Sequence, residues 1–320
     1  MRPVWWITAV FSLLLISCRV QTPPLPTLVA AAATSTPIAE LTATATPTNT
    51  PTPQPTPTTT LTPTITPTPS ATPCASLGKV EARSLTSQLG GPSNYRIYFP
   101  PCYELNGRSY PTLYMLPGNI HTDAIWDELG LDEAAEQAIL ADAISPLLIV
   151  MADGGHLATN SSGGPGSYES YILNELIPHV EATTCAWADP AGRAIGGLSR
   201  GGYWALEIAF RFPAHFASVG GHSAALIDSY AWPAVNPQYT GLSQDLGDLR
   251  VYFDIGENDW VINNIRKLHT DMEAANIAHT WVLNSGQHEE AYWAAHVDDY
   301  LAWYTKPWQE EEAQGVACQS

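Results

Sequence analysis

Positive charge is scarce in this 320-residue sequence: 13 Lys+Arg stand against 31 Asp+Glu, a formal net charge of −18. Such a surface repels phosphate backbones, and no basic stripe interrupts it, so nucleic acid is excluded as a partner. Long apolar runs are missing as well, because the run Val4 to Ile16 is too short to span a bilayer. Cysteines number five and none falls in a CxxC spacing, which removes the usual zinc frameworks. His288-Glu289 does not continue as HExxH, since position 292 is Tyr. Neither a metal nor a cofactor is implied, and no internal repeat is evident.

Proline is abundant but concentrated. Val20 to Pro73 holds 13 of the 27 prolines and 19 threonines, a composition that cannot bury a core. Alternating Thr-Pro favours polyproline II at about 3.1 Å per residue, so residues 19–73 are expected to form an extended linker reaching roughly 170 Å. Ahead of it, residues 1–18 combine Arg2, an apolar stretch and then Ser17-Cys18, the composition of a secretory signal. The stretch Leu15-Ile16-Ser17-Cys18 resembles the lipobox of bacterial lipoproteins, which implies cleavage before Cys18 and lipidation of its thiol. The expectation is an exported protein whose only membrane attachment is a lipid at Cys18.

Residues 74–320 remain, enough for one large domain, with 11 Lys+Arg against 30 Asp+Glu and a net charge of −19. Cys74, Cys102, Cys185 and Cys318 are an even set in an exported chain, and we expect Cys74–Cys102 and Cys185–Cys318 disulfides from three pairings. Short apolar runs alternate with helical spacing, the signature of an α/β fold whose mostly parallel sheet carries helices on both faces. Strands are expected at 95–99, 112–116, 147–151, 193–198, 217–220, 251–255 and 280–283. Helices are expected at 131–141, from 168 for about four turns, and at 201–212, 262–275 and 291–303.

The informative segment is Gly197-Leu198-Ser199-Arg200-Gly201-Gly202. A strand runs into Ser199 and a helix runs out, the setting in which Gly-x-Ser-x-Gly makes a sharp turn presenting a nucleophilic serine. A serine hydroxyl needs a base to take its proton and a carboxylate to orient that base. The loop after strand 251–255 offers Asp254, Glu257 and Asp259; Asp254 lies within the strand, so Asp259 is expected and Glu257 is the alternative acid. His288 follows the next strand end. The order Ser199, Asp259, His288 is that of α/β hydrolases, and His222 and His156, although they also follow strands, do not fit it. The oxyanion would rest on the amide of Arg200 and on one from the loop after strand 112–116, with Asn119 first and Gly118 as alternative.

With Tyr114-Met115-Leu116-Pro117-Gly118, Glu175-Leu176-Ile177-Pro178-His179, Gly197 to Gly202, Gly256 to Asp259 and Gly286-Gln287-His288 in view, residues 93–303 resemble the esterase family that includes esterase D, enterochelin esterases, feruloyl esterases and mycolyltransferases. The resemblance implies an α/β-hydrolase fold, Ser199 as nucleophile, His288 as base, Asp259 as acid, and hydrolysis of a carboxylic ester through an acyl-enzyme. Pro117 stands where many members have His. Residues 222–249, with Tyr230, Trp232 and Tyr239, are a candidate pocket wall, and Trp126 and Trp260 are candidate stacking surfaces for carbohydrate-linked or aromatic-acyl esters. An acyltransferase, and a surface binding module without turnover, are the competing readings.

Overall fold

The computed structural model describes residues 76–92, 94–103, 107–227, 229, 231–310 and 318. The expected signal segment, Cys18, the linker and Cys74 lie outside them. Eight strands form one sheet: β1 Lys79–Ser84, β2 Asn94–Phe99, β3 Thr112–Leu116, β4 Leu148–Ala152, β5 Arg193–Leu198, β6 Ser218–His222, β7 Arg250–Gly256 and β8 Thr280–Asn284. Their order is β1-β2-β4-β3-β5-β6-β7-β8. β1 and β2 run antiparallel to their neighbours, and β3 to β8 are mutually parallel. The α-helices in chain order are α1 Ile125–Glu128, α2 Leu131–Leu140, α3 Gly155–Asn160, α4 Tyr168–Tyr171, α5 Ile177–Thr183, α6 Arg200–Arg211, α7 Pro237–Ser243, α8 Ile262–Ala274, α9 Glu290–Ala294 and α10 Val297–Glu310.

The central strands β3 to β7 are buried at nearly every position because both faces are covered. In β3, Leu113 and Met115 join one core layer while Tyr114 and Leu116 join the other, and β4 divides likewise between Ile149, Met151 and Leu148, Val150. The first layer is closed by α1, α2, α9 and α10 through Trp126, Leu131, Trp293, Tyr300 and Trp308. The second is closed by α4, α5, α6 and α8, with Tyr171, Val180, Trp204 and Leu268 inside. This is the α/β-hydrolase architecture expected from the sequence.

Several boundaries differ from the expectation. β1 carries the polar sequence Lys-Val-Glu-Ala-Arg-Ser at an open edge, so no apolar run announces it. The helix expected at 291–303 is two helices parted by a turn at Ala295-His296, and the second continues through Pro307. The helix from Tyr168 is drawn into a wider π turn at Ile172–Leu176 before α5. Among the described residues no helix is long and apolar enough to cross a membrane. Cys185 is joined to Cys318. Cys102 is also disulfide-bonded, and its expected partner Cys74 lies outside the described residues.

Candidate active site

β5 delivers Ser199 at the centre of the sheet, beside β3, with Leu116 paired against Gly197. Ser199 has φ 54° and ψ −115°, outside the wells open to residues with a Cβ. Three hydrogen bonds hold it there: its N–H donates to the His222 carbonyl at 2.9 Å, and its carbonyl accepts from Ala225 N at 2.9 Å and Tyr203 N at 3.1 Å. The turn is so tight that a Cβ on Gly201 would sit 2.3 Å from the Leu116 carbonyl oxygen, and one on Gly197 2.4 Å from the Gly201 backbone. Those glycines are what permit strand and helix to meet at this angle.

The other two groups come from loops at the same end of the sheet. After β7, Gly256 lies so close to Gly286 that a Cβ would be 2.5 Å from its backbone, which clasps the β7 and β8 loops together. Asp259 is buried, and its Oδ1 accepts from Val261 N at 2.9 Å, which fixes the turn leading into α8. His288 Nδ1 stands 3.0 and 2.9 Å from the two Asp259 oxygens, and its Nε2 2.9 Å from Ser199 Oγ. With the proton on Nδ1, the ring donates to Asp259 and accepts from the serine hydroxyl. Trp293 packs edge-on against the His288 ring at 5.1 Å, and Trp260 lies tilted at the same distance.

The rival residues go elsewhere. Glu257 is exposed and accepts from Ser285 Oγ at 3.1 Å, and His156 pairs with Asn160 at 2.9 Å. Arg200 opens α6 directly after Ser199, so its backbone N–H belongs to the first turn of the helix, at the positive end of the helix dipole. Its guanidinium turns inward, donating to the Ala158 and Ser161 carbonyls at 3.3 and 2.5 Å and lying over Tyr203 and Trp204. Gly118 is buried at the end of β3, and Asn119 is exposed one residue beyond, in a turn closed by His121 N donating to the Gly118 carbonyl at 3.1 Å.

Trp126 corrects the sequence reading. It is fully buried, donating its indole N–H to the Leu116 carbonyl at 3.0 Å, and presents no stacking surface. Trp260 is 64% exposed, Trp232 84% and Tyr239 46%, while Tyr230 lies outside the described residues. A cavity of about 770 Å³ opens at the amino ends of β7 and β8, between Asp248, His279 and Trp303, away from Ser199.

A buried polar cluster beneath the elbow was not foreseen. His222 Nδ1 donates to Asp254 Oδ1 at 2.7 Å, and Tyr304 OH donates to His222 Nε2 at 3.1 Å. Asp254 Oδ2 accepts from Tyr292 OH at 2.8 Å and Tyr300 OH at 2.9 Å. Burial first, and the Asp254 charge after it, hold all three phenols above their ordinary range, so they stay protonated donors. The cluster ties β6, whose His222 carbonyl holds Ser199, to β7 and to α9, which follows His288.

Comparison with known proteins completes the description. The model of the family described as Putative esterase matches residues 86–304. The chain belongs to that family. Esterase Rv1288 of Mycobacterium tuberculosis is 35% identical over 149 residues, 44% of this chain and 31% of that protein. An endo-1,4-beta-xylanase/feruloyl esterase of Xylanibacter ruminicola is 32% identical over 119 residues, 35% of this chain and 16% of that protein. The matched stretch thus spans about a third or less of these curated relatives. Among solved structures, a ferulic acid esterase superposes with a TM-score of 0.66 at 24% identity, covering 72% of this chain and 99% of that one. The fluorophosphonate-binding serine hydrolase FphF of Staphylococcus aureus gives 0.61 at 18% identity, covering 72% and 99%. At these identities the likeness is one of fold.

Proposed function

We propose that this protein is a serine carboxylic-ester hydrolase working through Ser199, His288 and Asp259. The observation that carries the reading is the unbroken hydrogen-bond chain from Asp259 through His288 to Ser199 Oγ, each link 2.9 to 3.0 Å, on a backbone turn that exposes the hydroxyl. His288 Nε2 takes the Ser199 proton as Oγ attacks the ester carbonyl carbon, and Asp259 stabilises the imidazolium through Nδ1–H. The tetrahedral oxyanion rests on the Arg200 amide, with the amide at Asn119 as second donor. The carbon–oxygen bond to the alcohol then breaks and the alcohol leaves with the proton from His288. Water, deprotonated by His288, attacks the acyl-enzyme, and the acid departs as Ser199 regains its proton.

The reading extends to an exported protein held to a membrane by a lipid at Cys18, with the 19–73 linker carrying the domain outward; the Cys185–Cys318 bond supports an oxidising compartment. Carbohydrate-linked or aromatic-acyl esters are the proposed substrates, on the strength of exposed Trp260 beside His288 and of the feruloyl esterase named among the relatives. The test is hydrolysis of 4-nitrophenyl butanoate by the wild-type chain and by Ser199→Ala, with circular dichroism to establish folding. Activity abolished in a folded Ser199→Ala supports the mechanism. Undiminished activity in that variant would remove Ser199 from the chemistry.

A further inference from the structure

The loops at the carboxyl end of the sheet are chemically one-sided. Residues 117–124 after β3, 153–167 after β4, 223–236 after β6, 257–261 after β7 and 285–290 after β8 contain no Lys or Arg at all. They do contain acids beyond Asp259, and Glu257, Glu289 and Glu290 are exposed on the two loops that supply Asp259 and His288. Glu290 is held below the usual carboxylate range by its own backbone amide and then by His121, so it remains charged. The cation nearest in sequence to the nucleophile is Arg200, and its guanidinium is only 5% exposed and spent on the Ala158 and Ser161 carbonyls. The imidazoles of these loops outside the triad are engaged as well, His121 with Glu290 at 3.0 Å and His156 with Asn160.

Exposed apolar side chains stand on the same loops, among them Trp260, Ile120 and, on the loop after β6, Trp232. Trp260 is 64% exposed although it lies between buried Asp259 and buried Val261, and its ring centre is 5.1 Å from that of His288. Ile120 is 86% exposed next to Asn119. Arg96 reaches the loop after β3 but is paired there with Asp123 and Asp127, so a substrate carboxylate arriving here meets a negative surface, whereas an uncharged ring finds an amphipathic indole face.

We propose that the site selects esters uncharged in both acyl and alcohol parts, with Trp260 as the surface on which they lie, and rejects anionic esters through Glu257, Glu289 and Glu290. This rests on the ester-hydrolase reading given above and names its substrate class. The repulsion is a sum of several exposed, screened charge pairs, so its size is a selectivity of roughly tenfold at low ionic strength that shrinks in strong salt.

The experiment compares 4-nitrophenyl butanoate with 3-carboxy-4-nitrophenyl butanoate, which share the acyl group and differ by one carboxylate on the leaving group. Rates of the full chain are normalised to alkaline hydrolysis of each ester. The expected result is kcat/KM about tenfold lower for the anionic ester at 10 mM salt. The ratio should narrow at least threefold in 1 M NaCl and in Glu257→Gln/Glu289→Gln, where turnover of the neutral ester stays within about twofold. Trp260→Ala is expected to raise KM for the neutral ester with kcat nearly kept. Equal kcat/KM for the two esters at low salt, in a protein that turns both over, overturns the selectivity while leaving the hydrolase reading intact. Labelling by a neutral fluorophosphonate keeps the two apart, because a folded wild type that is neither labelled nor active overturns both.

Discussion

Replacing Ser199 by glycine and by alanine measures how much strain the elbow stores. At φ 54° and ψ −115° a residue with a Cβ pays about 1–3 kcal/mol that glycine does not. Glycine gives back about 0.5–1 kcal/mol through the freedom it gains in the unfolded chain. Both variants lose the half-exposed hydrogen bond to His288, worth about 1 kcal/mol, so that loss cancels between them. Ser199→Gly should therefore be about 1 kcal/mol more stable than Ser199→Ala and close to wild type, although both lack the hydroxyl. For a domain of this size the difference is about 2–4 °C in Tm. Urea and thermal denaturation of the three proteins at one pH provide the assay. A glycine variant melting at or below the alanine variant would refute the reasoning, because it would show that the serine backbone is held without strain.

Two further outcomes follow from groups away from the elbow. Burial pushes the half-buried Asp132 carboxyl up to about 7, and its Oδ1 has no hydrogen-bond partner among the described residues. The native state therefore binds this proton more tightly than the unfolded chain, and the group's contribution is most favourable below pH about 4, declining until about pH 7. Asp132→Asn should stabilise the protein more at pH 8 than at pH 4.5, by about 1 kcal/mol after allowing for solvent screening, seen as a larger rise in Tm, and an equal shift at both pH values would count against this. Cys185 and Cys318 close a loop of 133 residues, for which chain entropy allows up to about 5 kcal/mol. The double alanine variant should lose 2–5 kcal/mol in urea titration, and a loss below about 1 kcal/mol would show that the unfolded chain gains nothing from release.

Strands β3 and β5 were legible in the sequence to the residue because each is buried on both faces and ends at Pro or at the Gly-x-Ser turn. The order of Ser199, Asp259 and His288 was legible for a related reason: each follows a strand, and parallel strands put all their carboxyl ends on one side. Exposure was harder to read. Trp126 follows the β3 loop just as a stacking residue would, yet its indole is buried against Leu116, and only the packing of α1 on the sheet decides that. The break at Ala295-His296 was hidden because Tyr300, Leu301 and Tyr304 continue the apolar pattern beyond it. The cluster around Asp254 was invisible because its partners lie 32, 38 and 46 residues away, with nothing local to join them.

The spacing of the site along the chain bears on when it can come into being. Ser199, Asp259 and His288 span 90 residues, and His288 lies in a loop clasped by Gly256 and backed by Tyr292, so nothing shorter than a chain through α9 holds a base beside the serine. Cys185 finds its partner only once residue 318 has been made. A nascent chain still short of α9 therefore carries the Ser199 hydroxyl without the His288 imidazole held beside it, and the covalent loop cannot close before residue 318 is made.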